Sequence, residues 1–319
     1  MNAADFDDVL IIPAEKSYIE SRADVVLENR NGYVPLSAAN MVNIGTFDVA
    51  EILQKRKWLT YIQKDLYTQT EWQYFLDNIE NPHCVIPTFG KEDPLNIKKF
   101  FGDFVTPRTR PRKVCLDYAN GHIHSHITRA NYLYELLAPQ NIDVIYGNVA
   151  NPDVLHHINR FIQIKIGIGS GSVCTTRLKT GVGVPQLDLI SWFASSQLGR
   201  GRYIISDGGI RKPADIVKAF CSGADEVMMG GYFAGHNETS TEFFGSASTK
   251  SPFYDASKEY STPEGKVVQL LSRGPIENTL KDVEGSLRSA MTYINVKYID
   301  DIKHSNVQIK YVNKTHDNY

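Results

Sequence analysis

Residues 161–186 read FIQIKIGIGSGSVCTTRLKTGVGVPQ. The first six are mostly apolar and β-branched, as in a buried strand. Glycines at 167, 169 and 171 follow, and they permit backbone conformations that bring amides and carbonyls close to a ligand. The loop then presents Cys174 beside threonine hydroxyls and the cation of Arg177. From the residues alone, Cys174 is either a nucleophile activated by nearby positive charge or amide dipoles, or a small buried hydrophobic residue.

Seven more apolar runs occur along the chain, and they tend to end in small or polar residues. They lie at 34–39, 58–62, 84–88, 113–116, 143–146, 203–207 and 225–229. Helical patterns separate many of them, at 47–57, 122–137, 152–160, 188–199 and 212–223. Eight apolar strands alternating with helices predict an α/β fold in which a parallel sheet closes into a (β/α)8 TIM barrel. An open doubly wound sheet is the alternative, but the polar residues at the strand ends favour the barrel.

The active sites of such barrels lie at the carboxyl ends of the strands. The residues that fall there are Asn40, Lys64, Asp117, Asn148, Cys174 and Asp207. The loops after the seventh and eighth strands typically bind phosphate, and here they carry Asp207-Gly208-Gly209 and Gly230-Gly231. Two structural alternatives stay open at this point. Asp207 could instead cap the following helix, and Lys64 and Arg22 could be ordinary surface cations.

The pattern degrades after the eighth strand. Residues 237–261 are rich in Ser, Thr, Gly and Lys without a sustained period, which is typical of an active-site lid or a disordered loop. We predict a mobile lid over residues 237–266, a possible return strand at 267–271 and a helix at 276–293. A polar surface arm is expected over residues 300–319. The whole chain, residues 1–319, is expected to form one catalytic domain.

The composition argues against several classes of protein. A formal net charge of −2 gives no basic footprint for nucleic acid. The four cysteines are widely spaced, which argues against a disulfide framework or a structural zinc site and fits a reducing compartment. No apolar run approaches the roughly 18 residues that span a bilayer, and the acidic start is unlike a signal peptide. We therefore expect a cytoplasmic protein that does not act at a membrane. His122, His124 and His126 alternate along a predicted helix and so do not share a face, which disfavours a metal site there.

The stretch at 167–186 resembles the catalytic loop of GMP reductases, within the family that they share with IMP dehydrogenases. Its CTTR and KTGVG segments are similar to the reductase version, whereas IMP dehydrogenases usually carry Cys-Ile-Thr at this point. Further similar motifs follow in order over residues 6–295, namely FDDVLIIP, SAANM, DYANG, GNV, SDGG, GG with AGH, and RGPIENT. The pair of CBS modules that IMP dehydrogenases commonly carry between the early barrel units does not occur in this sequence.

The resemblance implies a reaction. Cys174 would attack C2 of the purine of GMP, ammonia would leave, and hydride from NADPH would reduce the covalent thioimidate to release IMP. Thr176, hydrogen-bonded to Glu264 on the lid, would relay the proton that the leaving amine needs. Asp117 and Lys64 would lie on the cofactor side and support proton movement. The resemblance also implies a homotetramer and a monovalent cation, K⁺, bound near Gly169, Gly171, Cys174 and Arg177.

The same resemblance implies the binding residues. Asp207 would bridge the two ribose hydroxyls of GMP or IMP. The other nucleotide contacts would be Gly208, Gly209, Gly230, Gly231, Gly245, Ser246, Ala247, Ser261 and Gly265. NADPH would contact Ser21, Arg22, Lys64, Asp117, Tyr118, Ala119, Ile168, Gly169, Tyr260, Ser289 and Thr292.

The lid departs from the family pattern. The reductases carry Arg-Ala-Ser-Glu-Gly or a close variant, whereas this chain has Ser261-Thr-Pro-Glu-Gly265. A serine cannot reproduce the charge or the forked donors of that arginine. Residues 245–248 read GSAS where the family has Gly-Met-Ser-Ser, and Val184 replaces a tyrosine. Two alternatives to a GMP reductase stay open. One is a family enzyme that uses dGMP or a modified purine nucleotide, or runs in the dehydrogenase direction. The other is a non-catalytic nucleotide-binding protein.

Overall fold

The barrel predicted from the sequence is confirmed. The computed structural model describes residues 4–103, 108–252, 254, 257 and 262–312. Within these residues, a short strand β1 (Val9–Ile11) precedes eight parallel strands that close into a barrel in sequence order. The barrel strands are β2 (Val34–Ala38), β3 (Trp58–Ile62), β4 (Val85–Phe89), β5 (Lys113–Asp117), β6 (Asp143–Val149), β7 (Gln163–Ile166), β8 (Ile204–Asp207) and β9 (Glu226–Met229).

The strands read as continuous apolar runs because both of their faces are covered. Side chains such as Tyr61, Ile145 and Met228 belong to a buried cluster that fills the barrel. Others, such as Val144 and Ile204, belong to the larger cluster between the barrel and its surrounding helices. Every residue of β2, β3 and β9 is buried.

The helices in the described residues are α1 (Phe47–Lys55), α2 (Gln69–Asn78), α3 (Pro94–Gly102), α4 (His124–Leu137), α5 (Thr176–Thr180), α6 (Gln186–Ser195), α7 (Pro213–Cys221) and α8 (Ile276–Tyr293). Helix α8 begins and ends where the sequence predicts. The helix predicted at 152–160 is instead a 3₁₀ segment, Pro152–His157. Helices α2 and α3 were not singled out, although α2 begins with a capping box between Thr68 and Glu71. Among the described residues, none of the helices combines the length and apolar character that a membrane crossing requires.

The segment after β9 contains more regular structure than its composition suggests. Strand β10 (Glu242–Phe244) lies inside the stretch predicted to be irregular. The predicted return strand exists as β11 (Val267–Gln269), and it pairs antiparallel with β10 rather than with the barrel. These two strands form the base of the lid, and backbone pairing between residues more than 20 positions apart leaves no local pattern in the sequence.

The end of the chain is tied down as far as the structure describes it. The 3₁₀ segment Ile299–His304 buries Ile299 and Ile302, and strand β12 (Ile309–Tyr311) pairs antiparallel with β1. Residues 300–312, the described part of the predicted surface arm, are therefore anchored through these contacts. Residues 313–319 of that arm lie outside the described residues.

A polar group is buried at the amino-terminal end of the barrel interior. Lys113, the first residue of β5, has a side chain that is 8% exposed and lies 3.9 Å from Glu226 at the start of β9. Its ammonium donates to the hydroxyl of Tyr33 at 2.8 Å, and the Tyr61 hydroxyl donates to Glu226 at 2.8 Å. Burial alone would lower the pKa of Lys113, but Tyr33 and Glu226 outweigh it and raise that pKa. This end of the barrel is closed by paired polar groups.

Candidate active site

A second buried lysine lies at the opposite, carboxyl end of the barrel. Lys165 on β7 donates to Asp117 at 2.7 Å and to Asp207 at 2.9 Å, and its third hydrogen-bond acceptor is the amide oxygen of Asn148. The amide nitrogen of Asn148 donates to Asp207 at 2.8 Å. Asp117, Asn148 and Asp207, which the sequence predicts at the ends of three separate strands, thus all accept from the Lys165 ammonium.

A glycine on the intervening strand makes this meeting possible. In the sheet register, Gly147 on β6 lies between Asp117 on β5 and Lys165 on β7. A Cβ at Gly147 would lie 2.7 Å from the Cβ of Lys165 and 2.3 Å from its carbonyl oxygen. The side chain of Lys165 can therefore reach Asp117 only because residue 147 has no side chain.

The charges in this cluster stabilise one another. Burial alone would raise the pKa of Asp117, but Lys165 and Lys64, together with hydrogen bonds from Lys165 and Asn40, outweigh it and lower that pKa. Burial alone would lower the pKa of Lys165, and the carboxylates of Asp117 and Asp207 reverse this and raise it. Both groups are therefore ionised at neutral pH.

Lys165 was not among the residues predicted for the site. The sequence does carry a signal, because a lysine between Ile164 and Ile166 interrupts an otherwise apolar buried strand.

The helix-cap alternative for Asp207 is wrong, since its carboxylate points to Lys165 and Asn148. Helix α7 is instead capped through Asp215, which accepts from the backbone of Lys212.

Cys174 lies at the head of a hydrogen-bonded chain. Its thiol donates to the Thr176 hydroxyl at 3.2 Å, and that hydroxyl donates to the Glu264 carboxylate at 2.7 Å. Thr176 is the first residue of α5, and all three side chains are partly exposed. The structure thus brings together the three residues predicted to be catalytic, in an order that permits proton transfer between sulfur and carboxylate.

Backbone hydrogen bonds hold the lid against this loop. The amide of Thr175 donates to the carbonyl of Glu264 at 2.7 Å, and the amide of Lys266 donates to the carbonyl of Val173 at 2.9 Å. The amide of Glu264 in turn donates to the carbonyl of Ala247 at 3.0 Å. A Cβ at Gly245 would lie 3.1 Å from the Cα of Gly265, so these two segments touch backbone to backbone. The predicted nucleotide residues Gly245, Ser246, Ala247 and Gly265 therefore lie beside the catalytic loop, whereas Tyr260 and Ser261 fall outside the described residues.

The glycines predicted to bind phosphate lie against the catalytic loop. Gly208 has φ +99°, and a Cβ there would lie 2.5 Å from the Ser170 hydroxyl, which donates to the Asp207 carbonyl at 3.0 Å. A Cβ at Gly231 would lie 2.9 Å from the hydroxyl of Ser172. Gly209 and Gly230 complete this partly exposed rim. Backbone amides of exposed glycines of this kind are suited to an anionic ligand.

Arg177 fills the centre of the glycine loop. Its side chain packs against Gly169 and Gly183, where a Cβ would lie 2.6 Å and 2.7 Å from its Cγ. Its guanidinium donates to the carbonyl of Val184 and lies 3.9 Å from Asp5. A guanidinium cannot ligate a cation, and the carbonyl of Arg177 accepts from the amide of Gly181 at 3.1 Å. Arg177 can therefore serve K⁺ only through this carbonyl oxygen, which retains its second lone pair.

The carbonyls of Gly169, Gly171 and Cys174 are the other predicted ligands of the monovalent cation. They are uncharged oxygen donors, the kind that potassium prefers. The Gly171 carbonyl accepts from the Cys174 amide at 3.0 Å and retains its second lone pair. In the ranges that the structure describes, no group of three or more His, Cys, Asp or Glu side chains is placed to hold a metal ion.

A pocket of about 640 Å³ opens beside Asp117, over the ends of β3, β4 and β5. It is lined by four of the predicted cofactor residues, Lys64, Asp117, Tyr118 and Ala119, together with Lys91, Glu92 and His126. The ring of Tyr118 stacks on His126 with centroids 3.9 Å apart. Burial raises the pKa of Tyr118 to about 12, so this ring is neutral at physiological pH. The pocket presents two lysines and three carboxylates, including Asp65, beside aromatic surface.

The histidines near this pocket have individual partners. His122 accepts a hydrogen bond from the amide of Ala150 at 2.9 Å, and His126 forms the stack with Tyr118. Burial lowers the pKa of both imidazoles.

The remaining predicted cofactor residues divide between two places. Ile168 and Gly169 belong to the catalytic loop. Ser21, Arg22, Ser289 and Thr292 lie on the 3₁₀ turn Arg22–Asp24 and on α8, which contact each other. Arg288 donates to the carbonyl of Arg22 at 3.3 Å, and Thr292 donates to the carbonyl of Ser289 at 2.7 Å. The hydrogen bonds of this second cluster run within it rather than to the pocket.

The chain is similar in sequence to a family of known proteins. Residues 112–318 match the family model described as the IMP dehydrogenase / GMP reductase domain. A GMP reductase of Shigella boydii serotype 18 is 36% identical over 325 aligned positions, which cover 93% of this chain and 91% of that protein. GMP reductases of Escherichia coli O157:H7 and of strain K12 / DH10B show the same identity and coverage.

Proposed function

The chain belongs to the IMP dehydrogenase and GMP reductase family, and from this premise we propose that it reduces GMP to IMP, with release of ammonia and oxidation of NADPH. The observation that carries the proposal is the chain of contacts from Cys174 through Thr176 to Glu264, with sulfur to hydroxyl 3.2 Å and hydroxyl to carboxylate 2.7 Å. The balanced reaction consumes GMP, NADPH and two protons, and it yields IMP, NADP⁺ and ammonium.

In the first step, the sulfur of Cys174 bonds to C2 of the purine and the bond from C2 to the exocyclic nitrogen breaks. The departing amine must gain a proton. The thiol proton passes to Thr176 and on to Glu264, because each group donates to the next. The same pair then returns a proton to the amine. The product on the protein is a thioimidate at Cys174.

The nucleotide is held around this cysteine. The oxygen of Asp207 that does not pair with Lys165 accepts from the ribose hydroxyls. The amides near Gly208, Gly209, Gly230 and Gly231 bind the phosphate. The lid residues Gly245 to Ala247 and Gly265 cover the base, since Gly265 forms a β-bridge with Cys174 and the Ala247 carbonyl accepts from the Glu264 amide. Ser261, which replaces the family arginine, leaves the nucleotide with one cation fewer.

The pocket beside Asp117 is assigned to the nicotinamide cofactor. NADPH, when bound, supplies the hydride that reduces C2 and frees Cys174. Lys64, Asp117, Tyr118 and Ala119 all line this pocket. The carbonyls of Gly169, Gly171 and Cys174 would hold a potassium ion, which would stiffen the loop that carries the cysteine.

We further propose a homotetramer, in which the cluster of Ser21, Arg22, Ser289 and Thr292 serves the cofactor pocket of a neighbouring subunit. In the single chain, the hydrogen bonds of this cluster stay within it. Light scattering gives the assembly mass. Mixing Arg22→Ala with Asp117→Asn subunits gives a sharper test, because sites that combine two intact halves should recover activity that neither variant has alone. A lack of recovery in proven mixed assemblies would refute the sharing.

The reaction is tested by following the absorbance of NADPH with purified protein and potassium, comparing GMP, dGMP and no nucleotide. Oxidation with GMP that disappears in Cys174→Ala supports the reductase. Oxidation with dGMP alone would make a deoxynucleotide the substrate. If no purine nucleotide supports oxidation although GMP or IMP binds, the next measurement is NADP⁺ reduction with IMP, and failure there as well leaves a nucleotide-binding protein.

A further inference from the structure

Lys165 is the most deeply buried charge at the site, with a side chain that is 1% exposed. An ammonium has three hydrogens to donate, and Lys165 has three acceptors, namely Asp117 at 2.7 Å, Asp207 at 2.9 Å and the amide oxygen of Asn148. Each acceptor lies on a different strand. The ammonium therefore fixes the relative position of the ends of β5, β6 and β8.

The two carboxylates belong to different halves of the proposed site. Asp207 faces the nucleotide, and Asp117 lines the cofactor pocket. Lys165 takes one oxygen from each, which leaves the second oxygen of each for other partners. Without the ammonium, the two partly buried carboxylates would face each other unscreened, and the pKa of Asp117 would rise.

We propose that Lys165 is a positioning residue that ties the nucleotide-side carboxylate to the cofactor-side carboxylate. The inference rests on the proposed function for the identity of the two ligands. Lys165 is not itself a proton donor in the reaction, because its carboxylate partners hold it in the charged form. Its effect reaches the reacting atoms through Asp117 and Asp207.

The charged groups around Asp117 determine the sign of the pH effect. Lys165 on β7 and Lys64 after β3 stabilise the ionised carboxylate, and Asn40 after β2 donates to it. Asp207 on β8 opposes them as a second anion, held off by Lys165. With Lys165 removed, Lys64 is the remaining cation, so the pKa of Asp117 rises and protonation begins at higher pH.

The test compares Lys165→Met with Lys113→Met. Both substitutions remove a buried barrel lysine, but Lys113 pairs with Tyr33 and Glu226 at the other end of the barrel. Affinity for GMP and IMP is measured by titration calorimetry, which requires no turnover. The pH dependence of NADPH oxidation is measured alongside, and circular dichroism with thermal melting reports folding.

For Lys165→Met we expect nucleotide affinity to fall by roughly 10- to 100-fold, and the acid limb of the pH profile to move up by about one unit or more. Lys165→Arg, which keeps the charge, should return the acid limb close to its wild-type position. Lys113→Met should melt earlier but keep both the affinity and the limb. The proposal would be overturned if Lys113→Met lost nucleotide affinity and shifted the acid limb. It would also be overturned if a folded Lys165→Met kept the wild-type affinity and acid limb.

Two further outcomes are also decisive. If Lys165→Met does not fold, the test uses Lys165→Arg instead. A folded arginine variant with a displaced acid limb would show that the positive charge at residue 165 does not set the acid limb. If the wild-type protein binds GMP but oxidises no NADPH, the proposed reaction fails. The calorimetric comparison of Lys165→Met with Lys113→Met still shows whether Lys165 positions the nucleotide-side carboxylate.

Discussion

The four thiols of the chain differ mainly in their surroundings. Burial raises the pKa of Cys84 and of Cys221 to about 12, and it raises the pKa of Cys115 further. These three are protonated and unreactive at neutral pH. Cys174 is partly exposed, sits on a glycine loop and donates to Thr176. At the scale of single residues, the hydroxyl partner and the glycine loop make Cys174 the candidate nucleophile, although Cys221 is partly exposed as well.

Alkylation tests this selection directly. We expect a short exposure to iodoacetamide to label Cys174 before the other three cysteines, because its thiol is the accessible one at the site. GMP should slow the labelling, since the proposed substrate covers the sulfur. Peptide mass spectrometry reads the modified positions, with Cys221→Ala as the control that should leave the rate unchanged. Faster labelling of Cys221 than of Cys174 would contradict the assignment.

The hydroxyl of Thr176 is a second point of test. Thr176→Val removes the oxygen between sulfur and carboxylate while keeping the shape, and it should lower kcat by about 10²- to 10⁴-fold with little change in GMP affinity. Thr176→Ser should recover much of the rate. The matched control is Thr180→Val on the same helix, whose hydroxyl donates to the Thr176 carbonyl and not to the relay. A kcat near wild type in Thr176→Val would remove the hydroxyl from the mechanism.

At the scale of elements, the sequence was informative wherever a pattern is local. Apolar strands 4 to 7 residues long carry their own signal, and all eight barrel strands were predicted. Cys174, Thr176 and Glu264 were placed by resemblance, and the structure adds their contacts. The capping box of α2 is a local sequence signal of the same kind.

The features that were missed depend on distant parts of the chain. Strand β10 is stabilised by pairing with β11 across the lid, and its own residues show no sustained alternation. The contact between Lys165 and Asp117 requires the register of three strands and a glycine at 147. No spacing in the sequence shows that these two side chains meet.

Adding one methyl group at Gly265 should disturb the contact between the lid and the catalytic loop. A Cβ at Gly265 would lie 2.9 Å from the Ser248 amide nitrogen and 3.1 Å from the Gly245 Cα, both backbone atoms that cannot rotate away. We expect Gly265→Ala to move Glu264 away from Thr176 and to lower kcat strongly. Steady-state kinetics and thermal melting measure the two effects separately.

The control for this change is Gly285→Ala in α8, where a Cβ would meet nothing within 4 Å. Alanine is favoured over glycine inside a helix, so this variant should gain about 0.5–1 kcal/mol in free energy of unfolding and keep its activity. Full activity in Gly265→Ala would show that the lid does not need this close backbone contact.

At the scale of the whole molecule, the start of the chain reaches several parts of the site. The amide of Ala4 donates to Asp188 on α6 at 2.8 Å, and Lys218 on α7 donates to the carbonyl of Phe6 at 2.8 Å. The Phe6 ring packs below Gly209, where a Cβ would lie 3.1 Å from it. Asp5 lies 3.9 Å from Arg177. This segment therefore supports both the phosphate loop and the catalytic loop.

The end of the chain holds that segment in place. Strand β12 pairs with β1, the amide of Val312 donates to the carbonyl of Asp8 at 3.0 Å, and the amide of Ile12 donates to the carbonyl of Gln308 at 2.9 Å. Deleting residues 307–319 removes all of these bonds. We expect the melting temperature to fall by about 2 °C or more, and nucleotide affinity to weaken because Phe6 is less firmly held under Gly209.

A shorter deletion, of residues 313–319, separates this effect from simple loss of length. It keeps β12 and Val312, so it should leave both the melting temperature and the calorimetric affinity for GMP unchanged. The two deletions differ by six residues, and those six carry the pairing with β1. Equal losses in both variants would place the stabilising contacts in the last seven residues instead. A loss of stability in the longer deletion with unchanged affinity would mean that the chain ends fasten the barrel but do not reach the nucleotide site.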